Sequence, residues 1–203
     1  MDKLTKQDAE KFLSFGENNK PFLPTDYIRE KVMIDYEAKK RINKNASILE
    51  SLMNWICHEL PYSDEHALAM QKFSRTAEEI WKSGKGNGCT EYALIFLTFA
   101  RQLGFPTTLL QTVEENCLKQ IKLGKVKKYV GHSFCECFID NKWVLCDPTN
   151  RIVMENYNLD KIETNYLIHN KSTYIPYLRT TELPKMSLKE HNDSMEHECL
   201  GLN

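Results

Sequence analysis

No apolar run in this 203-residue chain approaches the roughly 20 residues needed to cross a bilayer, so no helical membrane span is expected. Neither sign of charge dominates. The 27 Lys and Arg are set against 28 Asp and Glu, a net charge of −1, so neither a nucleic-acid nor an anionic-membrane partner is expected. The opening residues, Met1-Asp2-Lys3-Leu4-Thr5-Lys6-Gln7-Asp8, lack the apolar stretch of a secretory signal. The seven cysteines are odd in number and include no Cys-x-x-Cys pair, so they read as reduced thiols in a cytoplasmic protein. That spacing also argues for core thiols over a metal site at Cys57, Cys117, Cys135, Cys137 and Cys146. No internal repeat is visible.

What is present is enough apolar sequence, 41%, for one folded domain. Residues 1–45 read as a polar helical lead-in, 46–180 as the main domain and 181–203 as a polar, flexible tail. In the lead-in, Asp8–Phe15 is expected to form a short helix. A second is expected from a cap at Asp26 to about Lys44, with Ile28, Val32, Tyr36 and Ile42 near helical spacing. From Ala46 to Leu60 the positions of Ile48, Leu49, Leu52, Met53, Trp55 and Ile56 fit an amphipathic helix. A helix is expected from Asp64 to Met70, and another over Ser74–Trp81, where Thr76 and Glu79 form a capping pair.

The centre of the chain is Gly86-Asn87-Gly88-Cys89, which leads into an apolar helical run. That run closes at Leu103-Gly104-Phe105-Pro106. Cys89 therefore sits at the positive end of a helix dipole, where a thiol ionises most easily. Thr107–Val113 is β-branched and apolar, hence a strand. Glu114–Lys128 is a charged connection, expected as a hairpin turning at Gly124, with its five lysines as a solvated face. Val130–Ile139 and Lys142–Cys146 read as strands joined by a tight turn at Asp140-Asn141. Tyr157, Tyr166, Tyr174 and Tyr177 supply aromatics for packing over 151–180.

Alternation along the first of these strands puts His132, Phe134, Glu136 and Phe138 on one face. The turn brings the start of that strand beside the end of the next, so His132 and Asp147 become cross-strand neighbours. A thiol at a helix start, an imidazole and a carboxylate are the parts of a nucleophilic site. Cys89 would attack a carbonyl, His132 would carry the proton, and Asp147 would hold the imidazole in the right tautomer. The backbone N–H of Cys89, free in the first helical turn, is the expected oxyanion donor; Trp55 and Trp81 are candidates for a second. Glu91 and Tyr92 are assigned to packing and helix solvation. His58, His66 and His169 have no partner motif, and His191, His197 and Cys199 lie in the tail.

Taken together, the Gly-x-Gly-Cys helix start, the Ala-Arg-x-Leu-Gly-Phe-Pro helix end, and the run from Gly131-His132-Ser133-Phe134 to Trp143-Val144-Leu145-Cys146-Asp147-Pro148-Thr149 resemble the transglutaminase-like cysteine superfamily. The resemblance covers roughly residues 46–150. It implies a papain-like α+β fold, with a helical N-terminal part and the nucleophile opening a central helix on an antiparallel sheet. It carries Cys89, His132 and Asp147 over as the catalytic triad, with no metal or organic cofactor. Phe134 stands where that family usually has Trp. The implied activity is a thiol-dependent hydrolase or acyl transferase on amide or isopeptide bonds, with a protein or peptide substrate. Arylamine N-acetyltransferase-like acyl transfer is the alternative enzyme, and a catalytically silent interaction module is the alternative outside enzymes.

Overall fold

A computed structural model of the chain describes residues 1–12, 25–33, 35–36, 47–65, 73–164, 172–181 and 186–202. Among the described residues, helices Ile48–Glu59 (α1), Ala77–Ser83 (α2) and Cys89–Gln102 (α3) precede strand Thr107–Glu114 (β1). Helix Glu115–Lys122 (α4) and strands Gly131–Ile139 (β2), Lys142–Asp147 (β3) and Ile152–Met154 (β4) follow. Strands Ile162–Thr164 (β5) and Ser172–Thr180 (β6) and helix Leu188–Leu200 (α5) complete the order. The strands form one antiparallel sheet in the order β4-β3-β2-β1-β6-β5. The α+β architecture expected from the sequence is the one observed.

The sheet has two apolar faces because side chains alternate along each strand. Leu109, Cys135, Cys137, Val144 and Cys146 face α3 and share its core with α1 and α2. Leu110, Phe134 and Leu145 point the other way, onto Leu159, Ile162, Tyr157 and Tyr174. Helix α3 is buried at every position from Thr90 to Arg101, as befits a helix apolar nearly all round. It ends where Gly104 takes φ 87°, a left-handed conformation that ends the helix at little steric cost. The Asp140-Asn141 pair, with φ of 51° and 62°, makes the tight primed turn that joins β2 to β3.

Helix starts follow their caps. Ser47 with Glu50 and Thr76 with Glu79 form complete capping boxes for α1 and α2. Near residue 26 the cap differs from the expectation. The Thr25 hydroxyl accepts from Ile28 N–H, while Asp26 pairs with Arg29 at 2.9 Å. This segment is a π-helix over Ile28–Val32, and Lys6–Phe12 is a 3-10 helix. The continuations expected at 37–44, 66–70 and around Tyr166 and His169 lie outside the described residues.

Two expectations are corrected. The 114–128 connection carries helix α4 over Glu115–Lys122 rather than forming a hairpin. The Glu114 carboxylate caps Cys117 N–H at 3.0 Å, and Cys117 and Ile121 bury one face at four-residue spacing. Gly124 is then a helix stop with φ 61°. Its five lysines are exposed, as a solvated face requires. The tail after Pro184, expected to fray, contains α5. A Ser187–Glu190 capping box starts it, and Met195 and Cys199 join Val113, Cys117, Ile121 and Tyr177 in a core of their own.

Glu136 is fully buried on the far face of the sheet. It accepts from Tyr157 hydroxyl at 2.6 Å and from Arg179 at 2.9 Å. A buried carboxylate is tolerated only while its partners remain. Replacing Arg179 with Met is expected to cost about 3–5 kcal/mol in urea denaturation, because the Glu136 charge is left uncompensated.

Candidate active site

The loop before α3 is held by a buried ion pair. Arg75 Nε donates to Glu91 at 2.8 Å, and the same carboxylate accepts from Asn87 N–H at 2.7 Å. Glu91, in the first helical turn, thus satisfies a donor of the loop that precedes its own helix. Asn87 Nδ2 ties the loop to Ser63 carbonyl at 2.6 Å. The two glycines have separate reasons. A Cβ at Gly86 would come within 2.7 Å of the Tyr92 ring, and Gly88 adopts φ 84°. Tyr92 in turn donates to Leu60 carbonyl at 2.7 Å. Glu91 and Tyr92 therefore hold the loop in place from inside the core.

This frame puts Cys89 at the first residue of α3, partly exposed and facing the start of β2. His132 and Ser133 are the neighbours that act on its sulfur, both favouring the thiolate. On its other side His132 Nε2 lies 2.9 Å from Asp147 Oδ2. With Nε2 taken by the carboxylate, Nδ1 is the ring nitrogen left for the thiol. Cys135 pairs with Cys146, so the next register step sets Asp147 beside Phe134, one diagonal from His132. Asp147 is fully buried and is itself held by Asn150, whose N–H and Nδ2 donate at 3.1 and 3.0 Å. The His132 ring is fixed edge-on to Phe134 at 4.7 Å and lies 5.5 Å from Tyr174.

Electrostatics follow from this geometry. Burial alone would raise the Cys89 thiol. The charge of His132, with the polar groups of His132 and Ser133 beside the sulfur, outweighs burial and brings it down to about 7. Burial likewise works against the imidazolium, but the Cys89 thiolate and Asp147 raise His132 to about 10. Each charge thus favours the other, and the arrangement favours a thiolate–imidazolium pair. The other sheet thiols go the opposite way. Burial raises Cys137 to about 12 and Cys135 and Cys146 well above the ordinary value, so they are packing groups. Cys57 is raised to about 11, chiefly by burial.

The structure brings Cys89, His132 and Asp147 together, but it does not bring the tryptophans to them. The Trp55 and Trp81 rings pack at 4.9 Å, tilted by 37°, and lie against Phe99, roughly 15 Å along α3 from the thiol. They serve the core and are not oxyanion donors. The residue missed is Ser133. Its hydroxyl lies 2.9 Å from Thr90 Oγ1 and donates to Gln111 Oε1 at 3.1 Å. The signal was its place beside His132, directly opposite Gln111 on β1.

A helix bearing a thiol at its first residue, packed on an antiparallel sheet that bears the histidine and aspartate, defines a papain-like class of α+β protein. The sequence profile of the transglutaminase-like superfamily matches residues 26–148, and the chain belongs to that superfamily. The matched span contains Cys89, His132 and Asp147 and begins earlier than the 46–150 resemblance. A solved structure described as a "putative cysteine protease" from Cytophaga hutchinsonii aligns at 14% identity, TM-score 0.43, over 66% of this chain. The chain spans 42% of that protein's length. No curated protein matches the chain significantly.

Alkylation of Cys89 by iodoacetamide is expected to accelerate as pH rises through about 7. The thiolate is the reactive form, and deprotonation occurs there while His132 stays protonated. In His132→Ala, burial acts unopposed by the imidazolium, and the inflexion moves toward or above the ordinary value of 9.0. Peptide mass spectrometry across a pH series checks both profiles.

Proposed function

We propose that the protein is a thiol-dependent hydrolase of amide or isopeptide bonds in a protein or peptide substrate. The observation that carries this reading is the thiol at the start of α3, paired with His132 and backed by buried Asp147. In this reading the Cys89 sulfur attacks the carbonyl carbon and the carbonyl π electrons move onto oxygen. The Cys89 N–H, unpaired within the first helical turn, donates to that oxyanion. His132 gives its proton to the departing amine as the C–N bond breaks, leaving a thioester on Cys89. Neutral His132 then takes a proton from water, which attacks the thioester and releases the acid and the thiolate. Asp147 holds the ring and supports its positive charge in both halves.

Hydrolysis is preferred over transfer to an amine because water needs no acceptor subsite and fits the cavity of about 130 Å³ beside Cys89. Metal or organic cofactor chemistry has no step in this scheme. Among the described residues, no helix is long and apolar enough to cross a membrane. The seven free thiols support a reducing, cytoplasmic setting.

An activated ester such as p-nitrophenyl acetate gives a test free of the natural substrate. Acylation is expected at Cys89 alone, found by peptide mapping, and lost in Cys89→Ala. His132→Ala is expected to slow it by about 10²–10⁴-fold, the usual contribution of a positioned acid–base group. Acylation surviving in Cys89→Ala would contradict the mechanism.

A further inference from the structure

The cavity beside Cys89 has a second wall that comes from the far end of the chain. Leu188, His191, Asn192 and Met195 of α5 line it opposite the catalytic elements, together with Phe73. Several independent contacts build this wall. The Phe73 and His191 rings stack at 3.7 Å and 15° between planes. Met186 N–H donates to Phe73 carbonyl at 3.1 Å, tying the segment before α5 to the loop before α2. Phe73 holds φ 66°, an uncommon conformation for a bulky residue, so its position is imposed by these contacts. At the sheet, a Cβ on Gly131 would meet Thr112 carbonyl at 2.4 Å and Met195 Cε at 3.2 Å. The glycine before His132 thus leaves the room that Met195 fills. On the β1 side of the cavity, the register with β6 shifts between Gln111 and Thr112.

The size and chemistry of the cavity restrict what can enter. At about 130 Å³ it falls well below the roughly 300–1,000 Å³ of sites that enclose a whole small molecule. It has room for one compact group. Among the described residues lining it there is no Asp, Glu, Lys or Arg. A charged side chain entering it would lose water without gaining an opposite full charge beyond the Cys89–His132 pair. Aromatic, thioether and amide groups suit an uncharged one.

We propose that α5 and Phe73 form the acyl-side specificity subsite, which admits a compact, uncharged side chain next to the carbonyl attacked by Cys89 and whose width is set by the Phe73–His191 stack. This rests on Cys89 being the nucleophile. Phe73 and His191 act as specificity-determining residues and take no part in proton transfer.

The test uses the full chain and a set of dipeptidyl fluoromethyl ketones, differing only in the side chain next to the ketone: Ala, Val, Trp, Asp and Lys. Iodoacetamide serves as the size-independent control. The wild-type protein is expected to react fastest with the Ala and Val probes. Phe73→Ala and His191→Ala are expected to narrow the Ala-to-Trp rate ratio at Cys89 by about tenfold, the scale of one lost aromatic pair. Their iodoacetamide rates should stay within about twofold of wild type, a difference too small to mark a changed thiol. Phe73→Leu keeps the apolar bulk and removes the stack, so it gives the same direction of change if Phe73→Ala fails to fold. An unchanged ratio in the folded variants, or a wild-type preference for Trp, Asp or Lys, would overturn the subsite. So would an equal change with iodoacetamide. Loss of the pH 7 inflexion in wild-type alkylation would instead overturn Cys89 as an activated nucleophile, so the two failures are distinguishable.

Discussion

The packing of α3 on β2 is the contact on which the site depends. Helix α3 is buried along its length, so it can neither slide nor tilt against the sheet without opening the main core. Its first residue carries the thiol, and the first residues of β2 carry His132 and Ser133. The separation between sulfur and imidazole is therefore set by core packing rather than by a mobile loop. Cys135 Sγ, resting 3.4 Å from Ala93 carbonyl, is one point where helix and strand meet below the site. A thiol and an imidazole held this way are preorganised for the attack proposed above.

Among the described residues, three buried carboxylates show how the fold carries charge inside an apolar core. Glu91 is neutralised by Arg75 and holds the loop before the thiol. Glu136 is neutralised by Arg179 and locks β2 to β6 across the far face. Asp147 differs, because its partner is an imidazole that can gain or lose a proton, with Asn150 supplying neutral donors. Two of these pairs join a carboxylate to a guanidinium and serve the scaffold. The third is paired with a group that titrates, and it is the one beside the thiol.

The core of this arrangement was legible in the sequence because it rests on strong local signals. Gly-Asn-Gly-Cys, the Gly104 stop and the Asp140-Asn141 turn each demand a particular backbone, and alternation along β2 then aims His132. Helix α4 within the 114–128 connection was missed because its charge hid a two-residue apolar face, Cys117 and Ile121, that matters only once α5 and β6 cover it. Helix α5 was missed although Ser187-x-x-Glu190 is a capping box in plain sight, because the polar composition of the tail suggested fraying. Trp55 and Trp81 were considered as donors from their chemistry alone, and distance along α3 removed them. Ser133 and the Phe73–His191 wall arise from contacts between segments far apart in the chain, which no local pattern encodes.

The central claim is that Cys89 and His132 form an ion pair at neutral pH. The direct measurement is an NMR titration of the His132 ring nitrogens in ¹⁵N-histidine-labelled protein, with Cys89→Ala for comparison. The account predicts a doubly protonated ring at neutral pH that titrates near 10 in the wild type. It also predicts a clear fall in that value when the thiolate is removed, since the Cys89 charge is the largest influence raising it. A His132 that titrates near the ordinary 6.5, unchanged in Cys89→Ala, would contradict the account and leave the thiol as a packing group.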